Sequence, residues 1–275
     1  MPTVTNFLVS SLPAYVQENR DLLIKNFALV GTDTRRRIGL QTGIKGKARL
    51  YDLEAGIVLQ DGSGCGFNPL DSLTLSNRDI TVAVVKHDGQ ICPETLLGKY
   101  GEWLVRIKAT ENELPFEEYI VRVLTDEVNK VIEKMIWQGD TTSQDANLKW
   151  IDGFIAQMSA DASVVPVSIA SGQTAYQGIL AVYLAMPDEA VERGAKIFVS
   201  PAIFRLFLQG LVAANLSHYA GPVNEFPHEF ILPGADAVVV STPGLAGDLN
   251  IVGTFGENLV YGCDMENDHE DIDLW

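Results

Sequence analysis

Cysteine is scarce in this chain, and its spacing rules out two roles at once. Cys65, Cys92 and Cys263 lie far apart with no CxxC pair among them, which suits neither a disulfide framework nor a zinc site and points to a reducing interior such as cytoplasm. No run of eighteen apolar residues occurs, and the start MPTVTNFLVSSLP has neither the basic beginning nor the apolar centre of a signal peptide. Neither membrane insertion nor secretion is expected. Histidine is sparse as well. None of His87, His218, His228 and His269 has a partner at ligand spacing, so turn and surface positions are expected for them rather than catalysis. Internal repeats and low-complexity linkers are missing too.

Positive charge shows the most informative gap. No Lys or Arg follows Arg205, while eleven Asp or Glu do. Residues 1–50 show the reverse, with eight Lys or Arg against three acids, a local +5 in a chain of net charge −16. Two readings stay open: a dipole along the sequence that water solvates, or self-association in which the basic arm of one copy meets the acidic tail of another. With 275 residues, 47% of them hydrophobic, the chain is expected to bury one large core or two modest ones.

Several elements are legible from local pattern. Ser11-Leu12-Pro13 caps a short helix carrying Tyr15, Leu22, Leu23 and Phe27 and ending at Gly31. Arg35-Arg36-Arg37 follows, then the glycine-rich LQTGIKGKARLYDLEAGIVLQDGSGCGFN, which reads as an extended hairpin. DITVAVVKHDGQIC reads as a strand closed by a His-Asp-Gly turn. From Asn112 the period changes. Pro115, Glu117 and Glu118 open a helix with Ile120, Val123, Leu124, Val128, Val131, Ile132 and Met135 on its apolar face, closed by Gly139. Its length of about 23 to 25 residues corresponds to a rod of roughly 35 Å. Beyond it, TAYQGILAVYLAM, the segment 187–193 and IFRLFLQGLVAAN read as helices, the last capped by Ser200-Pro201. KIFVS, ADAVVVSTPG, LNIVGTFG and NLVYGCDM read as strands. The expected class is α+β, with one unit around the long helix and another over about 155–255.

Local features that resemble active sites fail on spacing. DGSGCGF (residues 61–67) is followed by Asn68-Pro69 and no helix pattern, so it is expected to be a hairpin tip rather than a phosphate loop. Ser63 between two glycines lacks the spacing of a nucleophile elbow. WQGDTTSQDANLKWIDGF (residues 137–154) offers Asp140, Asp145 and Asp152, but counting from Asp140 puts Thr142, Gln144, Asp145 and Ile151 at EF-hand positions 3, 5, 6 and 12. Its aspartates are expected to be solvated loop residues and caps, with Trp150 and Phe154 anchoring the return to a core. In CDMENDHEDIDLW, Asp264, Glu266, Asp268 and Glu270 alternate, so a strand would place all four on one face. Such a face is solvated, meets a divalent ion, or meets Arg35, Arg36, Arg37, Lys45, Lys47 or Arg49 of a neighbouring copy; the three readings stay open.

The order of elements resembles the major capsid proteins of tailed bacteriophages. The features that carry the likeness are a basic arm, a long glycine-bearing hairpin, the strand DITVAVVKHDGQIC, and a spine helix ending in Trp-Gln-Gly-Asp. A polar loop closing on Gly153-Phe154 and an α+β unit running to FILPGADAVVVSTPGLAGDLNIVGTFGENLVYGCDM complete it. The resemblance implies the phage major capsid fold: N-terminal arm and helix (1–35), extended hairpin loop (36–95), peripheral domain with the spine helix (96–154), axial domain (155–255) and a return to the peripheral domain (256–275). It implies a structural protein of the virion, assembled in the host cytoplasm as a homo-oligomer of pentamers and hexamers around packaged DNA, without sequence-specific contact. Scaffolding and portal proteins would be its partners; catalytic residues, metal and cofactors are expected to be none, and so is a membrane.

An encapsulin-type nanocompartment shell would share the fold and differ in enclosing a protein cargo; a neighbouring cargo gene, rather than terminase and portal genes, would mark it. An α/β enzyme using a cavity near DGSGCGF or the acidic tail is the reading from another class. The chain stops at Trp275 where the resemblance leads one to expect a final strand to begin, which implies a missing last segment or an abbreviated member. The lack of a scaffolding segment at the start suggests a separate scaffold or a cleaved precursor, and Met1 argues against cleavage. Exchange of Arg35, Arg36 and Arg37 for Glu is expected to impair assembly while leaving the subunit folded.

Overall fold

A computed structural model describes residues 33–60, 70–87, 116–216 and 228–264, and these form an α+β protein. The N-terminal helix of residues 11–31, the loop 61–67, the His-Asp-Gly turn beyond His87, the residues 112–115 before the spine helix and the acidic end from Met265 lie outside the described residues.

The centre is a four-stranded sheet in the order β5-β6-β4-β7, made of β4 (Ala195–Val199), β5 (Glu229–Ile231), β6 (Ala237–Ser241) and β7 (Val252–Phe255). β4 and β6 run parallel, and β5 and β7 are antiparallel to their neighbours. IFV of β4 and AVVV of β6 are continuous apolar runs because both faces of these strands are covered. On one face Ile197, Val199 and Val239 join Ile179, Ile203, Phe204, Phe207, Leu211 and Leu232. On the other, Phe198 and Val240 join Ile38, Ile136, Trp137, Leu245 and Leu259.

Local chemistry accounts for the helices of the first face. In α3 (Ala175–Ala185), Thr174 and Gln177 form a reciprocal capping box, the Gln177 amide donating to Thr174 Oγ1 at 3.3 Å and the Thr174 amide to Gln177 Oε1 at 3.0 Å. In α5 (Pro201–Ala213), Ser200 caps and Pro201 takes the first turn. Between them lies the short α4 (Asp188–Glu192).

The second face is closed by the spine helix α1 (Phe116–Gln138) and by α2 (Phe154–Ala160). Trp137 is fully buried, with Phe154 edge-on at 5.3 Å and Phe198 at 5.2 Å between ring centroids. Two backbones meet at Gly139, where the helix ends: a Cβ there would run into the Ile151 carbonyl oxygen, and one on Gly153 would lie 2.8 Å from the Gly139 nitrogen. A turn at Pro243–Leu245 lies directly on α1, where a Cβ on Gly244 would come within 2.5 Å of Trp137 Cδ1.

Outside this body are two paired ribbons. β1 (Gly39–Gln41) runs parallel to β8 (Val260–Gly262). β2 (Lys47–Gly56) and β3 (Ser72–Thr81) form a ten-residue antiparallel hairpin.

Three local expectations are corrected. The strand expected over DITVAVVKHDGQIC begins earlier, at Ser72, and ends at Thr81. Its ladder partner runs out there: Val82 donates to the Gly46 carbonyl at 2.8 Å, and positive φ at Gly43 and Gly46 turns the other chain away. The apolar face expected on the spine helix is only partly the buried one. Val123, Leu124 and Val131 are exposed, while Thr125, Asn129 and Glu133 are buried at four-residue spacing, because polar groups of the segment before β1 are what Glu133 meets. Trp150 does not anchor a core: it is 52% exposed, its indole N–H donating to the Ala146 carbonyl at 2.8 Å.

Candidate subunit-contact surface

In an antiparallel ladder, residues directly opposite one another share a face. The β2–β3 register therefore sorts the hairpin into two sides. One carries Lys47, Arg49, Tyr51, Leu53 and Ala55 opposite Thr81, Asp79, Asn77, Leu75 and Leu73; all ten are exposed. Tyr51, Leu53, Leu73 and Leu75, each between 59% and 71% exposed, make a contiguous apolar patch on it. The opposite side carries half-buried Ala48, Leu50 and Ile80 at the root of the hairpin, while Asp52, Gly56, Ser72, Thr74, Ser76 and Arg78 further along it are exposed as well. Among the described residues no layer covers this open apolar face of the two-stranded hairpin. The alternation in YDLEA and SLTLS contains this pattern, although the expected contact residues were charged ones.

Those charged residues separate into three groups. Lys47 and Arg49 stay on the hairpin, where Lys47 Nζ lies 2.8 Å and Arg49 Nε 3.1 Å from the two oxygens of Asp79. Hydrogen bonds from Lys47 and then Arg49 hold the Asp79 carboxyl below its usual range. Lys45 is exposed at the root of the hairpin. Asp264 is half-buried just after β8, whereas Glu266, Asp268 and Glu270 lie outside the described residues.

The third group is Arg35, Arg36 and Arg37, two of which have partners within the chain. Arg36 is exposed, but Arg35 and Arg37 are spent inside the subunit. Arg35 Nη2 donates to the Tyr261 hydroxyl at 2.7 Å, with the guanidinium 4.4 Å from the ring centroid. Arg37 pairs with Asp33 at 2.5 Å and with Glu229 at 2.6 Å. Burial works to lower the Arg37 pKa, and the two carboxylates more than reverse this, leaving it above its ordinary value. Its carbonyl accepts from Lys196 Nζ at 3.0 Å. One residue earlier than Arg35, Thr34 is fully buried: its amide and hydroxyl donate to Glu133, and its Oγ1 accepts from Trp137 Nε1 at 2.7 Å. Three side chains of one short segment thus fasten to α1, β8 and β5. Exchanging Arg35, Arg36 and Arg37 for Glu would set new carboxylates against Asp33 and Glu229, so a lower thermal midpoint of the subunit itself is expected, not an intact fold.

The loop of residues 140–152 is braced by its own side chains. Asp140 accepts from the amide and hydroxyl of Thr142, Asp145 from the Asn147 amide, and Asp152 from the amide and hydroxyl of Thr141. These carboxylates complete turns. Among the described residues, no group of three or more His, Cys, Asp or Glu is placed to hold a metal ion, and no helix is long and apolar enough to cross a membrane.

Set against protein-family models, curated proteins and solved structures, the chain matches none.

Proposed function

We propose that this chain is a structural shell subunit, a major capsid protein of the tailed-phage type that assembles with copies of itself into an icosahedral container for DNA. One observation carries the reading. A hairpin with ten residues in each strand holds Tyr51, Leu53, Leu73 and Leu75 out in water on one side. A projecting apolar arm of this kind buries surface only on another molecule, and a closed set of identical subunits supplies such a surface to every arm. Exposed Val123, Leu124 and Val131 on the spine helix add a second apolar strip available to a neighbour.

Charge suits the cargo. Phosphate is attracted by Lys and Arg, and this chain of net charge −16 has neither after Arg205, so a container made from it would not hold DNA by its wall. Sedimentation and negative-stain microscopy of the purified protein test the proposal. Rings, sheets or shells are expected; a monomer that persists under every assembly condition overturns it.

A further inference from the structure

We propose that Arg78 is a positioning residue, which with Asp161 forms a strut setting the angle at which the hairpin leaves the body. Two attachments hold the hairpin among the described residues. The first is its root. Ile44, 2% exposed, and Ile80 converge on Gly262, where a Cβ would lie 2.7 Å from Ile44 Cδ1 and from Ile80 Cγ2. The Ile44 amide donates to the Cys263 carbonyl at 3.2 Å. This tight apolar point is a fulcrum.

The second attachment lies two residues back along β3. Arg78 Nη2 stands 2.6 Å from Asp161 Oδ2 and donates to Ser163 Oγ at 3.2 Å. Asp161 follows the last residue of α2, and its carboxylate already accepts from the Ser163 amide at 2.9 Å and hydroxyl at 2.7 Å. The acceptor is therefore fixed before the guanidinium arrives. Arg78 projects from the side of the ribbon opposite the Tyr51 patch, so the strut restrains the arm from the body side only.

A ribbon of two strands twists and bends easily, and a fulcrum alone leaves its direction free. With a strut added, one direction is favoured over the others. The Arg78 side chain is 72% exposed, and ion pairs in water contribute little to stability and weaken with salt. The arm can therefore be released and reset without unfolding the body. In a chain that associates with its own copies, arm angle decides where the apolar patch lands on the neighbour. That consequence rests on the proposed function; the strut itself does not.

Spin–spin distances in the monomer test it, with labels at Asn77→Cys and Glu192→Cys in the full chain whose Cys65, Cys92 and Cys263 are replaced by Ser. With Arg78 present, one narrow distribution is expected. Arg78→Gln and Asp161→Asn should each broaden it about twofold or more, with the thermal midpoint held within about 2 °C, and the exchange of charges in Arg78→Asp with Asp161→Arg should restore it. An unchanged distribution in Arg78→Gln overturns the strut, as does broadening that the charge exchange fails to reverse. A midpoint that falls together with the broadening would make Arg78 a stabilising residue and overturn it equally. Because the distances are read on the monomer, a failure of the strut is separate from a failure of the subunit to assemble.

Discussion

The hairpin and the central sheet are built from the same interaction and come out as opposites. β2 and β3 share a ladder of ten residues each, whereas β4 and β6 share five. Yet the longer ladder leaves Tyr51, Leu53, Leu73 and Leu75 in water, while the shorter one buries Ile197, Phe198, Val199, Val239 and Val240 almost completely. Backbone pairing exchanges water for carbonyl partners at small net gain; removal of apolar surface from water is what makes a unit stable by itself. The sheet is thus covered on both faces, whereas the hairpin keeps one apolar face in water.

Substitutions should separate the two regions sharply. The largest loss of subunit stability is expected in the sheet unit from Phe207→Ala, because Phe207 is fully buried against Tyr176, Phe204 and Phe230; urea unfolding should register about 3–5 kcal/mol. Next come the seams that hold other segments to the body. Gly244→Ala forces a methyl against Trp137 and the Glu133 carbonyl, for about 1–3 kcal/mol by the same measurement. Thr34→Val strips Glu133 of a hydroxyl donor and Trp137 of its acceptor, again for about 1–3 kcal/mol. The hairpin should behave in the opposite sense. Serine at Tyr51, Leu53, Leu73 or Leu75 is expected to change subunit stability by no more than about 0.5 kcal/mol each, while the four together weaken self-association in sedimentation by about tenfold or more. Equal effects of both sets on stability would erase the distinction between them.

The smallest effect expected is that of pH on the hairpin root. The folded-state pKa of Asp79 is depressed, first by its hydrogen bond from Lys47 and then by that from Arg49. Its contribution is therefore complete above the unfolded carboxylate value of about 3.9 and is lost as pH falls through the lower folded value. An NMR titration of the Asp79 carboxyl should show protonation below the range of free aspartate, and Asp79→Asn should leave the acid stability of the central sheet unchanged.

How legible all this was in the chain depends on how far each partner lies away. The capping box of Thr174 and Gln177, the Ser200-Pro201 start of α5, and the continuous apolar run of β4 were readable because their causes lie within a few residues. The end of the spine helix at Gly139 was also readable, although the reason is a close approach to Ile151 and Gly153 rather than a left-handed turn. The hairpin was foreseen in outline. Its apolar patch was missed because alternation in a strand shows that one face is apolar and not whether anything covers it. The contacts of Arg35 and Arg37 within the chain and the exposure of Trp150 were not readable for a related reason: neither a charge run nor a tryptophan reveals its distant partners from its neighbours in sequence.

Sequence alone determined the class, several of the stretches that become helix or strand, and the charge gradient from a basic beginning to an acidic end, because propensity, periodicity and charge are carried by neighbours in the chain. Only the tertiary structure decided that Thr34 meets Glu133 across 99 residues, Arg37 meets Glu229 across 192, and Arg35 meets Tyr261 across 226. It alone decided, too, that the hairpin touches the body at its root through Ile44 and Ile80 and leaves Tyr51, Leu53, Leu73 and Leu75 in water. Burial and ion pairing depend on what folding brings close, and that is a property of the whole chain at once.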